Sequence, residues 1–209
     1  MKVLMVNGST RVGGCTYRAL AEVGAVLGDE GVASEIVQLG ARPVRDCAGF
    51  GCGRCAGVGR CVFDGDAVNE LIEKAEGADG FVFGSPVYYA HPAGQLLAVL
   101  DRAFYAGASA FAGKPAAAVT SARRAGTTAT LDVLCKYFAN AEMPIVSSTY
   151  WNMVHGTAVE EAEADAEGLQ TMRNLGRRMA WLLKCIEAGR VAGVEPPQAE
   201  CDAMTNFVR

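Results

Sequence analysis

Residues Lys2–Thr16 read KVLMVNGSTRVGGCT. Val3 to Val6 is a short apolar run of the kind that forms a buried strand. The run stops at Asn7-Gly8, and Ser9-Thr10 carries the chain into a turn. Beyond Cys15 the apolar residues Leu20, Val23 and Leu27 fall at helical spacing, with Gly28 and Gly31 near the end. Strand, Gly-rich turn and helix in that order form the opening unit of a parallel α/β sheet.

The alternation continues along the chain. Val32 to Leu39 is rich in β-branched residues and reads as a second strand. Asp66 can cap a helix carrying Val68, Leu71, Ile72 and Ala75. Gly80 to Gly84 is a third strand, followed by a helix with Leu96, Leu97, Leu100 and Phe104. Pro115 to Thr120 is a fourth, followed by a helix with Leu131, Leu134, Cys135 and Phe138, capped by Thr127 or Thr128. Pro144 to Thr149 is a fifth. A last helix over 160–187 carries Leu169, Met172, Met179, Leu183 and Ile186 on one stripe, with its acids early and its bases late, as the helix dipole favours. Short apolar strands alternating with helices predict one doubly wound α/β domain, a five-stranded parallel sheet with helices on both faces. The domain is expected over 1–190, with a Cys-rich loop at 45–65 and an extended tail at 191–209.

Composition bounds the rest. The chain has 209 residues, 51% of them hydrophobic and 20% charged, enough for one well-packed core. A formal charge of −4 and a pI near 5.3 offer no global attraction for polyphosphate, which argues against nucleic acid. The apolar start is too short for a signal segment and no stretch is long enough to span a membrane, so a cytoplasmic protein is expected.

Ligands of open α/β sheets bind beyond the carboxyl ends of the strands. After strand one, Gly8 to Thr16 supplies the hydroxyls of Ser9, Thr10 and Thr16, the cation Arg11 and a helix N-terminus, features that suit a single phosphate group. The same stretch also reads as an ordinary Gly-rich turn. It is not a triphosphate loop, because Cys15-Thr16 stands where that motif needs Lys-Ser/Thr. After strand three come Pro86, Val87, Tyr88, Tyr89 and His91, a flat surface for a ring system or else core and dimer contacts. After strand four, Ser121 to Thr128 adds polar groups with Arg123 and Arg124; after strand five, Tyr150 to Gly156 is aromatic. Together they suggest a flat, monophosphorylated ligand, which FMN fits better than a dinucleotide.

At these residues the sequence resembles the flavodoxin-like NADPH-dependent FMN reductase family, and within it the branch of the iron–sulfur flavoproteins. The matching pieces are Gly8-Ser-Thr-Arg-Val-Gly-Gly-Cys-Thr16, where Cys15 replaces the usual Asn, Gly84 to Tyr88, Gly94-Gln-Leu96, Leu100-Asp-Arg102, Ser121 to Gly126 and Ser148 to Gly156. The resemblance implies a flavodoxin-like strand order, bound FMN, NADH or NADPH as reductant and a small-molecule electron acceptor (a quinone, azo or nitro compound, or a flavin). It implies that Ser9, Arg11, Cys15 and Thr16 hold the ribityl phosphate, that Pro86, Val87, Tyr88 and Tyr89 line the ring, and that Ser121, Arg123, Arg124 and Gly126 edge it. It also implies a homodimer or homotetramer, with Tyr150-Trp151 as a candidate interface. No protein acid or base is required by the chemistry, which belongs to the flavin, and His91 and His155 read as structural or ring-contacting residues.

Four of the eight cysteines crowd into Cys47-x4-Cys52-x2-Cys55-x5-Cys61. Four thiolates would suffice for a four-iron cluster, and the iron–sulfur flavoproteins carry a similar run spaced C-x2-C-x2-C, so Phe50 and Gly51 read as an insertion. A zinc site and a metal-free loop are the alternatives. With the cluster, the chain would be an electron carrier using FMN and iron–sulfur.

Overall fold

The computed structural model describes residues 1–49, 55, 58–200, 202, 203 and 205. Its elements, in chain order, are β1 (Lys2–Asn7), α1 (Cys15–Asp29), β2 (Ala33–Gln38), α2 (Ala67–Glu76), β3 (Gly80–Tyr88), β4 (His91–Pro92), α3 (Gly94–Ala106), α4 (Ala108–Phe111), β5 (Ala116–Ala122), α5 (Thr127–Asn140), β6 (Met153–His155), α6 (Val159–Ala164) and α7 (Ala166–Val191). Strands β2, β1, β3, β5 and β6 lie side by side in that order, all parallel, and β4 folds back against the end of β3.

The period of two in each strand sends alternate side chains to opposite faces. Leu4, Val6, Phe81 and Phe83 face α2, α3, α4 and α5, while Val3, Met5, Val82 and Val119 face α1 and α7. On the first face, Phe81, Phe83, Phe104, Phe111 and Phe138 form a chain of aromatic contacts with centroids 4.4 to 6.0 Å apart. Each of the fully buried rings, Phe81, Phe83, Phe111 and Phe138, contributes roughly 1.5–3 kcal/mol by leaving water. Between the first two parallel neighbours the backbones close in: Gly8 N donates to Gly84 O at 2.8 Å, and a Cβ on Gly8 would lie 2.9 Å from that oxygen. Only glycine lets β1 end so close to β3.

Two sequence expectations are corrected. The strand predicted over Pro144–Thr149 is reduced to a single bridge from Ile145 to Ala116, and the edge strand proper is β6. The edge segment takes eight residue steps, from Ile145 to Met153, to cover what β5 covers in four, from Ala116 to Thr120. An edge strand has one neighbour, so it tolerates such an excursion. The predicted helix over 160–187 is two helices. Asp165 breaks it, accepting a hydrogen bond from Gly168 N as the cap of α7, and Ile186 lies exposed rather than on the buried stripe. Residues 192–200 carry no helix or strand.

Candidate functional site

The parallel strand order runs 2-1-3-4-5 in chain order, so connections leave β1 in opposite directions and a crevice opens between β1 and β3 at their carboxyl ends. A cleft of about 150 Å³ lies there, walled by the loop after β1, the end of β3, the end of β5 and the turn after β6. The structure brings Ser9, Arg11, Cys15, Thr16, Pro86, Val87, Tyr88, Ser121 and Arg123 to this one cleft.

The loop after β1 is built from its own side chains. Asn7 Oδ1 accepts from Ser9 N, Ser9 Oγ accepts from Arg11 N, and Gln38 Nε2 on β2 donates to Ser9 O. Helix α1 then starts at Gly14 with no side-chain cap and no acid in its first turn. Its first N–H groups therefore await an acceptor at the end that favours anions. Thr16 and Ser121 share one hydrogen bond between hydroxyls at 2.7 Å, which ties α1 to β5 and leaves one O–H proton to offer.

Arg11 and Cys15 do something the motif did not reveal. The Arg11 guanidinium donates to Thr157 O at 3.2 Å, and the Cys15 thiol lies 3.4 and 3.2 Å from the carbonyls of Gly156 and Ala158. Both side chains pull the turn after β6 against the helix start. Burial pushes the Cys15 thiol up, outweighing Arg11 beside it, so it stays a neutral S–H donor and adds no negative charge to the cradle. The N–H groups of Thr157 and Ala158 hold the Glu161 carboxyl below the usual range, so a carboxylate also stands near this turn.

The far wall is a hairpin. Val87 pairs with Pro92 and Tyr88 with His91, and the two turn residues between them, Tyr89 and Ala90, both have positive φ, 51° and 60°. Such turns normally take Asn-Gly; non-glycine residues there carry strain of order 1 kcal/mol each. Ser85 Oγ accepts from Ala93 N and donates to Pro86 O, and Gly126, at φ 92°, packs beneath the tip.

Three predicted ring-side residues therefore fall outside the cleft lining. Tyr89 sits at the turn tip with its ring wholly in solvent, because the positive φ turns it away. Arg124 is exposed, and Gly126 supports the hairpin from below. Gly14, Ala122, Gly156 and Thr157 line the cleft without having been singled out as site residues. Gly156 closes a stretch already recognised as family-like, whereas Thr157 carries no sequence signal. Neither His91 nor His155 lines the cleft.

The Cys-rich segment is organised by one buried arginine. Arg102 of α3 is 1% exposed and gives its guanidinium wholly to residues 45–66: to the carboxylate of Asp66, to Phe63 O at 2.8 Å, to Arg45 O at 3.1 Å and to Cys61 Sγ at 3.3 Å. Asn69 pairs with both backbone groups of Cys61. Cys55 and Cys61 are buried in the α2–α5 core and Cys47 is half-buried. Among the described residues no three His, Cys, Asp or Glu side chains converge as a metal site. Cys52, with Phe50 and Gly51, lies outside the described residues, so the four-cysteine set is not assembled by those that are described. No helix among them is long and apolar enough to cross a membrane.

Residues 1–158 match the model of the NADPH-dependent FMN reductase family. An iron–sulfur flavoprotein of Methanocaldococcus jannaschii is 30% identical over 197 residues, which cover 90% of this chain and all of that protein. Among solved structures, a flavone reductase superposes with a TM-score of 0.68 at 18% identity, over 90% of this chain and 64% of the other. The flavoenzyme NAD(P)H:(acceptor) oxidoreductase FerB of Paracoccus denitrificans superposes with 0.61 at 15% identity, over 88% and 97%.

Proposed function

The chain belongs to the NADPH-dependent FMN reductase family, and from that membership we propose that it carries hydride from NADPH or NADH, by way of FMN held in the cleft between β1 and β3, to a small flat acceptor. A quinone, an azo or nitro compound and a free flavin are the acceptor classes that fit. The observation that carries this reading is the convergence of an uncapped α1 N-terminus, the cations Arg11 and Arg123 and the apolar hairpin wall Pro86–Tyr88 on one cleft.

The residues present fit the cofactor. A dianionic phosphate would take the orphan N–H groups at the start of α1, the spare O–H of the Thr16–Ser121 pair and the charge of Arg11 and Arg123. Cys15, kept protonated by burial, contributes shape and no repulsion. Val87 and Tyr88 offer one wall for the ring, and Ser121 to Arg123 its edge. When bound, FMN would supply the hydride chemistry; these side chains would bind and orient it. No protein acid or base is assigned a step.

The test is steady-state oxidation of NADPH by FMN-loaded protein with a quinone, an azo dye, a nitroaromatic and riboflavin offered in turn. Saturable turnover with at least one is expected, and Arg11→Ala with Arg123→Ala should weaken FMN binding by at least tenfold. Turnover with none, or unchanged FMN affinity in the double variant, would sink the reading.

A second reading is favoured by the relatives' own description as iron–sulfur flavoproteins together with the run Cys47, Cys52, Cys55, Cys61. In it the chain is an electron carrier with FMN and a four-iron cluster. Protein purified without oxygen would then contain about four irons and as many sulfides per chain; their absence leaves the reductase alone.

A further inference from the structure

Strand β5 has an edge partner near each end and none in the middle. Ala116 bridges to Ile145 and Thr120 pairs with Met153, but the segment between loops away over 147–152. At the resulting gap the carbonyl of Ala118 is met by a side chain, Asn152 Nδ2 at 3.0 Å, in place of a strand. A pocket of about 270 Å³ fills the space between this excursion and α5. Its apolar walls include Ala118, Leu131, Val146 and Trp151.

The polar groups of this pocket are unbalanced. Among the described residues, two buried side-chain polar atoms have no partner, Thr120 Oγ1 and Asn152 Oδ1. Asn152 lines the pocket and is only 8% exposed. Its other amide atom is committed to Ala118, which fixes the orphan as the oxygen, an acceptor. The carboxylate of Asp132 is a second acceptor in the lining, and the hydroxyl of Ser148 is already spent on Thr171 O. A buried acceptor left without a donor is rare in folded proteins and marks a place where something else supplies the proton. The hydroxyls of Thr128, Ser147 and Tyr150 also line the pocket, but its buried orphan is an acceptor and calls for a donor. Its volume accommodates two fused rings.

We propose that this pocket at the gap in the edge strand binds a flat one- or two-ring aromatic molecule carrying a hydrogen-bond donor, a phenol or an aromatic amine, whose donor meets Asn152 Oδ1. It is a different site from the FMN cleft. The two share no lining residue, and Ala118 precedes Ser121 by three residues on β5, about 10 Å at strand rise.

Isothermal titration of FMN-loaded protein with 2-naphthol and with 2-methoxynaphthalene separates donor from shape. One saturable site per chain is expected for 2-naphthol, about tenfold tighter than for the methoxy analogue. Asn152→Leu should erase that preference. Cys135→Trp, which fills the pocket from the α5 side without touching Asn152, should weaken both probes at least tenfold and leave the flavin spectrum unchanged. Equal affinity for the two probes, or 2-naphthol binding that survives Cys135→Trp, overturns the proposal. So does sedimentation showing copies joined over Trp151 with no probe bound, which would give the pocket to a second copy of the chain.

Discussion

Replacing Arg102 with methionine should release Arg45 and residues 58–66 from the body of the protein while the sheet stays folded. The guanidinium is 1% exposed and its partner carboxylate on Asp66 14% exposed, so both charges are largely out of water. Removing one member of a buried pair typically costs 3–5 kcal/mol, because the other is left uncompensated (a range of about that size applies here). Asp66 keeps the hydrogen bond from Val68 N at 3.1 Å, which places the expected loss near the lower end, about 3 kcal/mol. That is a large share of the roughly 5–15 kcal/mol by which domains are stable. Arg102→Lys retains a charge for Asp66 but cannot reach Phe63 O, Arg45 O and Cys61 Sγ together, and should fall between the two. Urea unfolding followed by far-ultraviolet circular dichroism gives the free energy, and tryptic cleavage after Arg60 reports local release. A loss under about 1 kcal/mol with unchanged cleavage would show that other contacts hold the segment, and would refute the assigned role.

Three further outcomes follow from named geometry. Gly126→Ala puts a side chain on a residue at φ 92°, with its Cβ 2.7 Å from Ala90 Cα; a loss of about 2 kcal/mol in thermal unfolding and weaker FMN binding are expected, and a wild-type melting temperature would contradict it. Thr16→Val strands the hydroxyl of Ser121 in a buried position, costing about 1–3 kcal/mol, with calorimetry of FMN binding as the second readout. Burial raises the Glu22 carboxyl, but hydrogen bonds from Arg173 and Arg18 outweigh it and hold the group below 4.5. A depressed folded value means that its stabilisation is complete above about pH 4.5 and is lost as the pH falls through the lower folded value. Glu22→Gln should therefore flatten part of the acid limb of a stability-against-pH curve; an unaltered limb would show that the pairing carries no linkage.

The central strands β1, β3 and β5 were legible because both of their faces are buried, so each begins as an apolar run, whereas β2, at the other edge and half-exposed, was legible only from its β-branched residues. The edge was not legible in the same way. Ile145 and Val146 look like strand, yet the ladder resumes only at Met153, since an edge strand's pairing is set by tertiary contacts such as Asn152 with Ala118. The residues expected on the phosphate side, Ser9, Arg11 and Thr16 from the Gly-rich turn and Cys15 from the family resemblance, all line the one cleft. What the turn could not show is that Arg11 and Cys15 reach across to Thr157 and its neighbours, nearly 150 positions away. Tyr89 was drawn to the ring by its chemistry, and the positive φ of the hairpin tip takes it away. The clamp of Arg102 on the Cys-rich segment had no local signal, because four acceptors scattered over 45–66 define it.

The most direct test of hydride transfer through the cleft is anaerobic mixing of FMN-loaded protein with NADPH, or with NADH, while the visible flavin absorbance is followed. The band should bleach fully, at a rate that saturates with the nicotinamide. FMN that stays bound with its absorbance unchanged by either nucleotide would contradict it.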